Sequence, residues 1–269
     1  MKTLKLDENI YIPQLGLGTW ELLGEDCVNG VRKALETDYR LIDTADAYGN
    51  HVQVGRGIKE SGIDRKEIFL TTKVWTTDLH GQPLKNAVNR FLEELDTSYI
   101  DLLLIHWPNK SIPLEETLKA MHEIKSEGLI RSIGVSNFTQ KHIDKALDIG
   151  IKVVNNQIEI HPTFAQFDLV KYCQAKDVTV TAYSPLGRGA DLELPVIKEL
   201  AKKYESSEAQ IIISWLLERG LIVIPKATSP QRIKENYKSL EIKLSNEDIE
   251  KMNSLDKNER MITPSWNEF

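Results

Sequence analysis

Ile100-Asp101-Leu102-Leu103-Leu104-Ile105-His106 is apolar at nearly every position and stops on an imidazole. A strand with one wet face alternates apolar and polar residues. This run does not, so it reads as a strand of a parallel sheet covered on both faces. A titratable side chain at the end of such a strand is costly unless it faces a site. In parallel barrels, chemistry is built at that C-terminal end. Leu41-Ile42-Asp43, with Tyr48 just beyond it, and Phe69-Leu70-Thr71-Thr72-Lys73 end in the same manner. An acid, a phenol, an amine and an imidazole at three successive strand ends suit proton transfer to or from an oxygen atom.

Outward from these runs the pattern repeats. Strands are expected at Leu15–Leu17, Leu41–Asp43, Ile68–Lys73, Ile100–His106, Ile130–Ser136, Val153–Gln157, Val178–Tyr183 and Leu221–Pro225. Amphipathic segments separate them, as βα units require. Pro83 is read as opening one helix, with Leu84, Val88, Phe91, Leu92 and Leu95 recurring at threes and fours. Pro113 with Glu115 and Glu116 starts another, and Gly128, Gly150 and Gly220 suit left-handed helix ends. The eightfold repeat favours a closed (β/α)8 TIM barrel, although periodicity alone leaves an open sheet as the alternative. Thr3–Leu6 and Ile10–Ile12 flank Asp7-Glu8-Asn9 and predict a β-hairpin plugging the N-terminal mouth. No linker or charge block divides residues 1–269, so a single α/β barrel domain is expected.

Composition excludes several classes of function. A net charge of −6 with 28% charged residues argues against nucleic acid as the main partner, since phosphate backbones need a basic face. The start, Met-Lys-Thr-Leu-Lys-Leu-Asp-Glu-Asn, lacks a secretory signal, and no apolar stretch is long enough to span a bilayer. Cys27 and Cys173 are expected to be free buried thiols. A cytoplasmic monomer acting on a small molecule, away from membranes, is the expectation.

Three motifs then give the chain a specific resemblance. The first runs Leu41-Ile42-Asp43-Thr44-Ala45 through Tyr48-Gly49-Asn50 to Val54-Gly55. The second is Tyr99 to Pro108, followed by Gly128 to Phe138. The third is Ile224-Pro225-Lys226 with Arg232 and Glu235-Asn236. Together with Gly16-Leu17-Gly18-Thr19-Trp20, they resemble the aldo-keto reductases over nearly the whole chain.

That resemblance implies reduction of aldehydes or ketones, including dicarbonyls and keto sugars, with NADPH going to NADP+. Tyr48 would be the proton donor, tuned by Asp43 and Lys73, and His106 would orient the carbonyl. A nearby ammonium favours the phenolate and so lowers a tyrosine's pKa. The bland reading makes Asp43–Lys73 a mere tie between two strands. Gly18, Thr19, Trp20 and Asp43 belong to the implied cofactor site. Ser136, Asn137 and Gln157 match carboxamide contacts, and Tyr183 the ring that stacks on the nicotinamide. Ser184, Leu186 and Gly187 match the pyrophosphate loop, with Arg188 facing either the phosphates or solvent. Lys226, Ala227, Thr228, Ser229 and Arg232 lie at the implied 2′-phosphate end, and Glu235 and Asn236 at the adenine. Two cations around a dianion favour NADPH over NADH. An ordinary basic turn before a helix near Pro230 is the alternative.

Trp20, Trp75 and Trp107, with Tyr48 and His106, would wall the substrate pocket. Met261, Trp266 and Phe269 reach its rim or pack outside. Ala227 stands where relatives often carry serine, Arg188 where many carry a small residue, and His51 where glutamate is usual. The short loop Leu186–Leu194 implies easy cofactor exchange. Glu159 and His161 share a strand face, yet no third ligand has supporting spacing. A hydrogen-bonded structural histidine and no metal centre are expected. His80, His122 and His142 are read as solvated. A nicotinamide-binding regulatory or sensor subunit with little turnover is the alternative function. A barrel hydrolase or isomerase would leave the Lys226–Arg232 cluster unexplained.

Overall fold

A computed structural model describes residues 2–265. A short antiparallel hairpin, β1 (Thr3–Asp7) and β2 (Ile10–Pro13), precedes the barrel. The barrel strands are β3 (Leu17–Gly18), β4 (Leu41–Asp43), β5 (Phe69–Val74), β6 (Ile100–Ile105), β7 (Ile130–Ser136), β8 (Asn155–Glu159), β9 (Thr179–Tyr183) and β10 (Ile222–Val223). All neighbours pair in parallel, in sequence order. The first and last strands also meet: Leu15 bridges Val223, Gly16 N–H donates to Val223 O at 2.9 Å, and Val223 N–H to Gln14 O at 2.8 Å. The sheet is therefore closed, which removes the open-sheet alternative and both exposed edges.

Helices α1 (Gly24–Glu36), α2 (His51–Ser61), α3 (Gly81–Glu94), α4 (Leu114–Ser126), α5 (Gln140–Asp148) and α6 (Phe167–Ala175) follow β3 to β8 in turn. Both α7 (Pro195–Lys203) and α8 (Glu208–Glu218) lie between β9 and β10, whereas α9 (Pro230–Lys238) and α10 (Asn246–Asn253) follow β10. In α3 the positions expected from the spacing, Leu84, Val88 and Phe91, are buried. The helix begins at Gly81, two residues before Pro83, because proline is tolerated within a first turn whose N–H groups have no intrahelical partner. Gly128 and Gly150 take φ +79° and Gly220 φ +73°, as helix-ending glycines do.

Two cores result. One lies between barrel and helices; the other is inside the barrel, where Leu6 and Ile12 of the hairpin meet Leu41, Phe69, Leu102 and Ile222. The hairpin thus fills the N-terminal mouth. The sixth barrel strand was expected at Val153–Gln157 but runs Asn155–Glu159. Its polar residues are satisfied inside the barrel, Asn155 Nδ2 donating to Thr181 Oγ1 at 3.0 Å, so hydrophobicity misjudged its start. His106 lies one residue past the end of β6, held by its N–H to Val74 O at 3.1 Å.

Candidate active site

The C-terminal ends of β4 and β5 bring Asp43 and Lys73 together. Both are almost fully buried (2% and 1% exposed), with Lys73 Nζ 2.6 Å from Asp43 Oδ1. Lys73 also donates to Thr44 O at 2.8 Å and to Tyr48 Oη at 3.2 Å. Three ammonium hydrogens thus meet three acceptors. Tyr48 Oη accepts in this set, and its own hydrogen has no acceptor among the described residues. Gln157 Nε2 donates to Asp43 Oδ2 at 2.7 Å, holding the second carboxylate oxygen.

The segment carrying Tyr48 is fixed from several sides. Asp46–Tyr48 forms a 3-10 turn that ends at Gly49 in the left-handed region, φ +62°. Arg90 of α3 grips Asp46 at 2.9 Å. Asn50, fully buried, donates to Thr19 O and Leu22 O and accepts from Thr44. His51, where the resemblance led to an expected glutamate, is well connected. Its Nδ1 lies 2.9 Å from Glu94 and its Nε2 2.8 Å from Thr72 Oγ1, tying α2 to α3 and β5.

Burial dominates the electrostatics. It pushes the Tyr48 phenol above its ordinary value; Lys73 pulls the other way but does not win. The net lowering expected from the adjacent ammonium is therefore reversed, and the phenol is held protonated. For Lys73, burial works against the charge, but Asp43 and Tyr48 outweigh it and raise its pKa. Burial raises Asp43, with Lys73 and Gln157 pulling back. Burial, then Lys73, pushes His106 well below the ordinary imidazole range, so its ring is neutral at pH 7. Its Nδ1 is buried without a hydrogen-bond partner among the described residues, and the ring edges face Tyr48 and Trp75 at 5.8 and 5.1 Å between centroids.

Asp43, Tyr48 and His106 line a cavity of ≈ 270 Å³ together with Gly18, Thr19, Trp20, Trp75, Trp107, Ser136, Asn137, Gln157, Tyr183, Ser184, Arg188 and Lys226, while Lys73 lies behind Asp43 and Tyr48. Ser136 Oγ donates to Gln157 O at 2.8 Å, Asn137 Nδ2 to His106 O at 3.0 Å, and Tyr183 Oη to Asn137 Oδ1 at 2.8 Å. The polar groups on this wall thus orient one another, leaving Gln157 Oε1 without a donor among the described residues. Asn137, Ser184 and Arg188 adopt φ of +63°, +48° and +51°. Left-handed non-glycine residues carry strain that clusters at sites. An amide and a hydroxyl beside an aromatic ring, with a neutral imidazole opposite, fit a nicotinamide and a carbonyl in chemistry.

The remaining expected cofactor residues lie outside that cavity wall. Leu186 packs on the core, and Gly187 takes φ +55° against Asp191. Ala227 is buried, and Thr228 is exposed. Ser229 caps α9, its Oγ accepting from Arg232 N–H at 3.2 Å. Exposed Arg232 shares that helix start, while Asn236 is buried and Glu235 accepts from Gln231. Lys226 pairs with Glu21 at 3.2 Å, and its ammonium and the Arg188 guanidinium both lie over the Trp20 ring, at 5.9 and 4.8 Å. Arg188 therefore turns toward the cavity rim.

Ala47, Pro185, Ile224 and Ile262 also line the cavity and were not foreseen. Ile262 had no local signal, because only the path of the tail brings it there. Met261 reaches Glu159 through its backbone N–H; Trp266 and Phe269 lie outside the described residues. His161 is hydrogen-bonded between Glu159 and Asp191, and no metal-binding group of three or more His, Cys, Asp or Glu occurs among the described residues. Of the three histidines read as solvated, only His122 is exposed. His142 is half-buried, its Nδ1 accepting from Thr139 N–H in the α5 cap, and His80 is half-buried, its Nδ1 without a partner among the described residues. Cys27 and Cys173 are free and buried, and burial pushes the Cys27 thiol up to about 12. No helix of the described residues is long and apolar enough to cross a membrane.

The barrel with this cluster at its C-terminal end defines an oxidoreductase built for carbonyl chemistry. The family model "Aldo/keto reductase family" matches residues 14–257. The chain is 40% identical to a glyoxal reductase of Bacillus subtilis over 261 residues, covering 96% of this chain and 94% of that protein. It is 38% identical to a glycerol 2-dehydrogenase (NADP(+)) of Saccharomyces cerevisiae over 303 residues, covering 100% and 96%. Among solved structures, the aldo-keto reductase MGS-M4 from a Medee basin deep-sea metagenome superposes with a TM-score of 0.94 at 38% identity, covering 97% of each chain. This chain belongs to the aldo/keto reductase family and is a nicotinamide-dependent oxidoreductase that reduces carbonyl groups.

Proposed function

We propose that the chain reduces small aldehydes, ketones and 1,2-dicarbonyls to alcohols with NADPH, Tyr48 delivering the proton. The observation that carries this reading is that Tyr48, which lines the cavity beside His106, accepts from Lys73 at its Oη and so keeps its own hydrogen to donate. NADPH, when bound, supplies the hydride that the carbonyl carbon receives. Tyr48 gives its proton to the carbonyl oxygen as negative charge develops there. Lys73, backed by Asp43, stabilises the phenolate that remains until water returns a proton to it. The neutral His106 ring donates from Nε2 to the same oxygen and fixes its direction.

Ser136, Asn137, Gln157 and Tyr183 would hold the nicotinamide. Ser184, Leu186, Gly187 and Arg188 would border the pyrophosphate. Lys226, Ser229 and Arg232 would face the 2′-phosphate, where the start of α9 adds two further advantages, free backbone N–H groups and a favourable dipole. Trp20, Trp75 and Trp107 supply apolar walls with few fixed polar groups, which discriminate weakly by size. The B. subtilis relative, named for glyoxal, makes short dicarbonyls the first substrates to try.

The test mixes the protein with NADPH and a panel of glyoxal, methylglyoxal, aldehydes, ketones and keto sugars, following loss of reduced-nicotinamide absorbance. Turnover is expected, and Tyr48→Phe should lower kcat by about 10²–10⁴ with NADPH affinity within a few-fold. Tight NADPH binding without turnover on any carbonyl would instead point to a sensor.

A further inference from the structure

Glu159 is the last residue of β8 and shares the inward face with Gln157, two positions earlier. Unlike Gln157, it touches neither Asp43 nor Lys73, yet it is completely buried. A buried carboxylate survives only with donors around it. Here they come from two directions. Oε1 accepts from Met261 N–H at 2.7 Å and lies 3.1 Å from His161 Nε2, while Oε2 accepts from Ile262 N–H at 3.0 Å. The two tail amides are those flanking and including the residue that lines the cavity.

On the other side of the imidazole, His161 Nδ1 lies 2.8 Å from Asp191 Oδ2, and Thr163 Oγ1 donates to Asp191 Oδ1 at 2.9 Å. A neutral imidazole could donate to only one of the two carboxylates. With a carboxylate at each ring nitrogen, the geometry calls for an imidazolium. Asp191 lies in the loop after β9 and packs against Gly187, where an added Cβ would meet its carboxyl carbon at 2.6 Å. Further ties run from the same β8–α6 loop to the tail. Lys257 and Glu259 N–H both donate to Thr163 O at 3.1 Å, and Ala165 N–H donates to Asp256 Oδ1 at 3.1 Å.

We propose that Glu159, His161 and Asp191 form a two-armed positioning device: Glu159 sets the substrate-side wall by holding the amides of Met261 and Ile262, Asp191 sets the Ser184–Arg188 loop on the cofactor side, and His161 couples them. None of the three touches the reacting atoms; each acts through what it holds. This rests on the carbonyl-reductase reading for what the two walls bind, but not for the existence of the clamp.

Glu159→Gln, Asp191→Asn and Met261→Pro separate the arms. Met261→Pro deletes one N–H donor on the tail and leaves the buried cluster intact, so it serves even where Glu159→Gln does not fold. For Glu159→Gln and Met261→Pro, amide hydrogen exchange across 260–264 should rise about tenfold or more. Carbonyl KM should rise about tenfold, with kcat and NADPH Kd within twofold. Asp191→Asn should weaken NADPH about tenfold with carbonyl KM within twofold, and exchange should rise across 186–194 instead. Equal shifts of both constants in every variant, or unchanged exchange at 260–264 in Glu159→Gln and Met261→Pro, would overturn the clamp. If the wild type turns over no carbonyl, the carbonyl-reductase reading fails, while exchange and NADPH affinity still decide the clamp.

Discussion

Lys73 Nζ sits 2.6 Å from Asp43 Oδ1 with both side chains sealed from solvent, so neither charge is tolerable without the other. Removing one partner of a buried pair costs about 3–5 kcal/mol, because the other is left uncompensated. Lys73→Met should therefore destabilise by about that amount in urea unfolding and cut kcat by about 10² or more. Adding Asp43→Asn should recover part of the stability and none of the rate. Full recovery of turnover in the double variant would show that the pair is only a tie between strands.

Neutrality of His106 and of Tyr48 sets the pH response. With His106 pushed well below 6.5 and Tyr48 above 10, neither changes charge between pH 6.5 and 9. Carbonyl reduction should be nearly flat across that window when NADPH is saturating. A bell with a limb near pH 6.5 in kcat would mean that a charged imidazole takes part.

Lys226 and Arg232 offer a direct reading of cofactor preference. A charge-assisted bond to a phosphate is worth about 1.5–3 kcal/mol. Arg232→Ala should weaken NADPH by roughly tenfold or more in a fluorescence titration and leave NADH within twofold. Equal weakening of the two cofactors would remove the 2′-phosphate from the site.

His161 makes stability depend on pH in a known direction. Burial lowers its pKa, but hydrogen bonds to Asp191 and Glu159 outweigh that and push it up to about 9, above the unfolded value near ~6.5. Its contribution is thus fully present below pH ~6.5 and lost as pH rises through about 9, on the order of 3 kcal/mol. Arg260 is the further charge near Glu159. Urea midpoints should fall from pH 7 to 10 in the wild type, with a shallower fall in His161→Gln. Parallel slopes would indicate a neutral imidazole.

His51 should resist replacement by the glutamate that the family resemblance led one to expect there. A carboxylate there would face Glu94, whose Oε2 lies 2.9 Å from the imidazole. His51→Glu is expected to destabilise by about 1–3 kcal/mol, and Glu94→Gln in the same chain to restore part of it. A stable His51→Glu protein with Glu94 intact would contradict the assigned pairing.

Much of this was legible from strand ends. Asp43, Lys73 and His106 stood out because buried parallel strands are apolar, so a charge at their C-termini needs a purpose. Strand boundaries were harder: Asn155 and Asn156 lie within β8 because Thr181 and the backbone of Phe138 accept from their amides, which hydropathy does not record. The sign of the Tyr48 shift was also out of reach, since it follows from how completely neighbouring elements bury the phenol.

The order of strands, the four titratable residues at or just past strand ends and the family were written in the chain itself. They depend on local periodicity and on residue type at defined spacings. Which side chains share a cavity was decided by tertiary structure alone. Closure of the barrel brings Leu15 to Val223, and the path of the tail brings the Met261 and Ile262 amides to Glu159, about a hundred positions away in sequence. Contacts at that separation are set by packing and by the need to satisfy a buried charge, neither of which leaves a mark on any short stretch of residues.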